Sequence, residues 1–273
     1  MKKGKGIGLM SVMVLMLLTP LHSKEDEKPF CNKLIFSETP EIGRKWHGGI
    51  RTTDFFCWEG YFNIYNWVMV DFLRAGFGNL KVGENGKMKD YFYTLTLKSR
   101  PIHFDLFGGD YKAALGMKYF KAPFAFVADG DSIMRIRDSS FMLFVTQGYG
   151  FKENHLFNLM TSLSFRDRKD SKGKEITGTT YYLVPGYQYA ISEKWFFSVE
   201  YYMTNTERLP LKILQFAFDK DKLDFYNTGR EMYSWLFYGC HYSGKHLRVD
   251  LNLANHYSFS GIILPMIGVG WNF

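Results

Sequence analysis

Between residues 245 and 255 apolar and polar positions alternate. Leu247, Val249, Leu251 and Leu253 fall on one parity; His246, Arg248, Asp250 and Asn252 fall on the other. Successive side chains of a strand point to opposite faces of a sheet. The spacing therefore predicts a strand with one apolar face and one strongly polar face. The pattern recurs upstream. Trp195, Phe197, Val199, Tyr201 and Met203 oppose Ser198, Glu200 and Tyr202. Phe157, Leu159, Leu163 and Phe165 oppose Asn158, Met160, Ser162 and Ser164. Tyr91, Tyr93, Leu95 and Leu97 oppose Phe92, Thr94 and Thr96, and the run from Tyr111 to Tyr119 opposes one that begins with Lys112 and ends with Lys118. Helical spacing is scarce after residue 24.

Such strands build either a soluble barrel or sandwich, apolar face inward, or a transmembrane barrel, apolar face outward and polar face to the lumen. Three features favour the second. The alternating runs span roughly 9–13 residues, where soluble strands average about 5–6 and a tilted membrane strand needs about 9–11. Aromatic residues gather at strand ends, as in Tyr61-Phe62, Tyr181-Tyr182 and Trp195-Phe196-Phe197, where interfacial girdles belong. The polar faces carry His246, Arg248, Asp250, Glu200, Lys112 and Lys118, charges that a dry core takes up only at a large desolvation cost.

The last run alternates through Ile263, Pro265, Ile267, Val269, Trp271 and Phe273. Here the chain resembles bacterial outer-membrane β-barrel proteins, whose signature is a final alternating strand ending in Phe. That resemblance implies that Ile267, Val269, Trp271 and Phe273 form the signal read by the barrel assembly machinery. It also implies a Gram-negative outer membrane and its lipid as the surroundings. In size and in its terminal Gly-Trp-Asn-Phe the chain is loosely similar to the nucleoside-specific channels, which implies nucleosides among the candidate solutes.

The 273 residues are 46% hydrophobic and include 26 Phe, 18 Tyr and 6 Trp, at a mean hydropathy of −0.20. So much apolar surface excludes a disordered chain. Only Ile7–Leu18 comes near the run of about 20 apolar residues that a membrane helix requires. With Lys2, Lys3 and Lys5 ahead of it, this run reads as a signal peptide, residues 1–23. Removing those three lysines lowers the formal charge from +7 to +4, which is no signature of a nucleic-acid polymer as partner. Residues 24–45 read as a tail, plug or first-strand leader, and residues 46–273 as one transmembrane β-barrel. Cys31, Cys57 and Cys240 leave at least one free thiol in an exported chain; a Cys31–Cys57 bridge and three unpaired thiols both stay open.

Tight turns near Gly108–Asp110, Phe151–Asn154, Ala190–Glu193 and Tyr242–Gly244 alternate with longer stretches at Lys121–Asp138, Phe165–Ile176 and Thr204–Arg230. Short periplasmic turns alternating with long outer loops is the barrel pattern. It assigns Leu211–Phe218 to a loop and gives an all-β antiparallel barrel of about 12 strands, with 10 and 14 as alternatives. Ser99–Pro101 reads as a turn or as a bulge within one strand.

The predicted lumen holds His246, Arg248, Asp250, Asn252, Glu200, Tyr202, Lys112 and Lys118, with Tyr65, Trp67 and Asp71 nearby. Mixed charges beside aromatic faces suit passive diffusion of small hydrophilic solutes, including bases or sugars that stack. Two other readings stand beside this. One is a lipid-modifying hydrolase in the barrel wall, but His246 and Asp250 lie about 13 Å apart along a strand and make no dyad. The other is a surface adhesin or scaffold with a closed lumen, its basic stretch Arg166–Lys174 meeting outer-leaflet phosphates. No enzyme activity, metal or cofactor is expected.

Overall fold

The computed structural model describes residues 33, 35, 37–54, 57–82, 86–129, 132–152, 154–169, 175–204, 233–256 and 263–273. The expected signal peptide, Cys31 and Leu211–Phe218 lie outside these residues. Twelve strands follow one another: β1 (Gly48–Thr53), β2 (Cys57–Tyr65), β3 (Val68–Val82), β4 (Gly86–Leu106), β5 (Gly109–Asp129), β6 (Ser132–Phe151), β7 (His155–Lys169), β8 (Glu175–Ala190), β9 (Trp195–Thr204), β10 (Tyr233–Ser243), β11 (Leu247–His256) and β12 (Ile263–Asn272). Each pairs antiparallel with its sequence neighbour, and β1 pairs with β12 through Ile50↔Trp271 and Thr52↔Val269, closing the ring. Gly48 and Phe273 exchange backbone hydrogen bonds of 2.9 Å across that seam. At the level where all twelve strands pair, closure leaves the described ring without a sheet edge, which a sheet in hydrocarbon requires.

The alternation decides which face is which. Every strand places a large apolar side chain on the outside, from Ile50 on β1 through Trp58, Phe72, Leu95, Leu115, Leu143, Leu159, Leu183, Tyr201, Leu236 and Leu251 to Ile267 on β12. On β7, Phe157, Leu159 and Phe165 are exposed while Asn158, Met160 and Ser164 between them are buried. This inverts a soluble barrel, where the apolar face would be inside. Among the described residues no helix is long and apolar enough to cross a membrane, which says nothing of strands.

Tight turns join the strands at one end. The β4–β5 turn puts both Phe107 (φ 48°) and Gly108 (φ 75°) in the left-handed region, the arrangement of a two-residue turn matched to strand twist. Ser99–Pro101 is a bulge inside β4, where the register with β5 shifts between Ser99 and Ile102.

Two expected loops are strand instead. The β5–β6 ladder continues across Lys121–Asp138 as far as Asp129↔Ser132. Most of Phe165–Ile176 is likewise paired, through Lys169↔Glu175. Both stretches are rich in charge, which reads as loop only if every strand residue must suit lipid. At about 3.3 Å per residue the 21-residue strands β4 and β5 reach roughly 70 Å, about twice a membrane crossing. A strand of that length does not have to end where a membrane crossing ends.

Candidate functional site

Residues 33, 35 and 37–42 lie inside the barrel. Lys33, Ser37, Glu38, Thr39, Glu41, Ile35 and Ile42 are all buried, none more than 4% exposed. Their partners come from around the wall. Lys33 reaches Glu59 on β2 and Asp71 on β3, Glu38 reaches Lys98 on β4 and Lys118 on β5, and Ser37 reaches Glu200 on β9. A segment touching β2–β7 and β9 of a closed ring lies within it. Pro40 packs against β6 where Gly148 leaves room; a Cβ there would come within 2.6 Å of the proline Cγ. This buried segment is called the plug.

Backbone and side chains of the plug are both engaged. Glu200 accepts hydrogen bonds from the Ser37 hydroxyl at 2.6 Å, the Ser37 amide at 3.0 Å and the Ile35 amide at 3.4 Å. Thr146 Oγ1 and Asn158 Nδ2 donate to the Glu38 carbonyl at 3.0 and 3.2 Å, and Lys98 Nζ donates to the Thr39 carbonyl at 3.0 Å. Groups committed to the wall in this way are unavailable for a ladder, which explains the irregular backbone.

The charges sort by sign. Lys98 Nζ and Lys118 Nζ lie 3.3 and 3.1 Å from the Glu38 carboxylate. Lys112 Nζ donates to both oxygens of Glu41 at 2.9 Å, with Arg100 3.8 Å from the same carboxylate. Burial pushes the Glu38 carboxyl up, but Lys33, Lys118 and Lys98 outweigh it and hold the pKa at about 2. Burial likewise opposes the Lys33 charge, yet Asp71, Glu38 and Glu59 raise its pKa. A second cluster sits on the wall by the seam. Asp250 accepts from Arg248 Nε at 3.0 Å on both oxygens and meets His241 Nδ1 at 2.7 Å. Arg51 joins this cluster to Glu59, and so to Lys33.

Of the residues expected in the lumen, Arg248, Asp250, Asn252, Glu200 and Lys112 are buried. Lys118 points to Glu38. Tyr202 is half-buried and packs edge-on against Tyr182 and Phe237, with centroids 6.1 Å away in each case. Asp71 is buried against Lys33. His246 stands apart, exposed in the β10–β11 turn with its ring stacked 5.2 Å from Trp271. Tyr65 and Trp67 stack on each other at the β2–β3 turn. Ile267, Val269, Trp271 and Phe273 are all exposed on the outer face. Glu38, Glu41, Lys98, Arg100, Thr146, Asn158, Glu59, Arg51 and His241 were not expected in the site. Parity places the wall members of this group on the inner face, but their partners are too distant in the chain for spacing to reveal.

Among the described residues two His–Asp pairs are present, each joining neighbouring strands. Asp250 meets His241 across the β10–β11 ladder, and His103 Nε2 lies 2.6 Å from Asp110. In each imidazole the other nitrogen is buried without a hydrogen-bond partner. Neither pair therefore activates a hydroxyl, which a nucleophile–base relay requires. Among the described residues no group of His, Cys, Asp or Glu could hold a metal, and Cys57 and Cys240 are free thiols.

No family model and no curated protein matches the sequence. Among solved structures, the chain is similar to the NanC porin, at 9% identity and TM-score 0.47, covering 83% of this chain and 97% of that one. It is similar to the translocator domain of the autotransporter NalP from Neisseria meningitidis, at 11% identity and TM-score 0.43, over 85% and 89% of the two chains. It is also similar to the outer membrane protein opdK from Pseudomonas aeruginosa, at 12% identity and TM-score 0.31, over 88% and 75%. The role of the lumen rests on this chain's own side chains.

Proposed function

We propose that the protein is a Gram-negative outer-membrane β-barrel through which small hydrophilic solutes diffuse when residues 33–42 leave the lumen. The carrying observation is where the wall charges find their partners. Lys98, Lys112 and Lys118 meet carboxylates of the plug, and Glu59, Asp71 and Glu200 meet its ammonium, amide and hydroxyl groups. A wall whose charges pair with a removable segment is wet and polar once that segment is out. The apolar belt contributed by all twelve strands supports the membrane setting, and we read its Ile267–Phe273 ridge as the surface the assembly machinery engages.

The narrower nucleoside reading is supported by Tyr182, Tyr202, Trp235 and Phe237, which cluster near the level of Glu200. Planar-bilayer recording of the full chain tests the proposal. The expected record is single-channel steps separated by long closures, with uridine reducing the current if nucleosides are the solute. A barrel that migrates heat-modifiably on a gel yet gives no steps would sink the channel and leave a closed scaffold.

A further inference from the structure

The wall does more than neutralise the plug's charges; it holds the plug as a peptide. Glu200 takes two main-chain amides and a serine hydroxyl. Thr146, Asn158 and Lys98 supply donors to two successive main-chain carbonyls. Lys98 and Lys118 hold the first carboxylate, and Lys112 grips both oxygens of the second. Gly148 makes space for the proline between the two acids. Simple charge balance would need only the ammonium groups. The backbone contacts are redundant for that purpose, and they are what distinguishes a peptide from any other dianion.

We propose that this stretch of lumen is a binding site for short acidic peptides, and that Ser37–Glu41 is its built-in occupant. The site reads an extended Ser-Glu-Thr-Pro-Glu pattern: carboxylates at the second and fifth positions, main-chain carbonyls between them, and an amide and hydroxyl at the first. A free peptide of this chemistry competes with the plug for the same groups. The inference rests on the channel reading in so far as a peptide must enter the lumen to reach the site.

The test uses the full chain carrying Glu38→Gln and Glu41→Gln, which loosens the plug while keeping every wall group. Fluorescently labelled Ser-Glu-Thr-Pro-Glu is titrated onto the variant in detergent micelles, and the unlabelled peptide is added to the same variant in a planar bilayer. The expected result is binding about tenfold or more tighter than Ser-Gln-Thr-Pro-Gln, as loss of charge-assisted hydrogen bonds dictates, with current block over the same concentration range. Adding Lys112→Gln should remove the part of that difference that comes from the fifth-position carboxylate. Equal affinity for the two peptides would overturn the proposal. So would displacement of the peptide by succinate, inorganic phosphate or uridine at matching concentrations, because a site for anions or bases has no need of the backbone contacts. Steps without any peptide effect would refute the site and leave the channel standing. Peptide binding without steps would do the reverse. If the double variant does not migrate heat-modifiably, Glu41→Gln alone carries the same comparison.

Discussion

Replacing Glu38 by Gln preserves the shape of the side chain and removes its charge. In the structure that carboxylate is buried and faces Lys98, Lys118 and Lys33 at 3.3, 3.1 and 3.5 Å. Those ammonium groups hold its pKa at about 2, against the ordinary 4.5. Each unit is worth about 1.4 kcal/mol, so the charge contributes roughly 3 kcal/mol to seating the plug. Breaking a buried ion pair by removing one partner costs a similar amount, about 3–5 kcal/mol. The carbonyl contacts from Thr146 and Asn158 are untouched by the substitution, so the change isolates the charge. A loss of about 3 kcal/mol raises the unseated population roughly 100-fold. Single-channel recording reads this as open probability. A change of less than about threefold, in a variant that folds with heat-modifiable migration, would refute the reasoning.

The Glu38 pKa is depressed, so its contribution is complete above about pH 4.5 and fades as pH falls towards 2. Open probability should climb over that window in the wild type and climb less in Glu38→Gln, where the Glu41 and Glu59 pairs still titrate; parallel pH profiles would contradict the assignment. Asp250→Ala leaves Arg248 and Arg51 without their shared carboxylate and should shift ion selectivity towards anions, as reversal potentials in a salt gradient would show. The outward-facing Leu251→Ala is the control, and an equal shift from it would refute the placement of Asp250. Leu251→Arg puts a charge into the apolar belt and should destabilise the barrel by about 2–4 kcal/mol if it sits near mid-membrane. Urea unfolding in lipid vesicles measures this, and an unchanged midpoint would argue against the membrane setting.

Period-two alternation revealed the barrel because each strand meets two different media. Leu251 beside Asp250 and Asn252, or Phe157 beside Asn158, records that difference within two residues. The same logic makes Lys121–Asp138 a loop, although the β5–β6 ladder continues through it. Nothing in the spacing of residues 24–45 distinguishes a plug from a tail or a first-strand leader. Glu38 and Lys98 are 60 residues apart, and Ser37 and Glu200 are 163; spacing along a chain carries no information about which wall position faces which plug residue. Parity alone does not single out His241. Register across β10 and β11 sets it opposite Asp250. His246 has the parity of the polar face but precedes the first ladder residue of β11, so its ring is free to stack on Trp271 instead.

The central claim is that residues 33–42 occupy the lumen and control passage through it. Pro40→Cys with Gly148→Cys, in a background lacking the native cysteines, tests this most directly because the two positions are in contact. Current is recorded before and after reduction. The prediction is a cross-link under oxidising conditions with the channel shut, and steps that appear once the disulfide is reduced. A failure to cross-link, or the same current in both states, would contradict the claim.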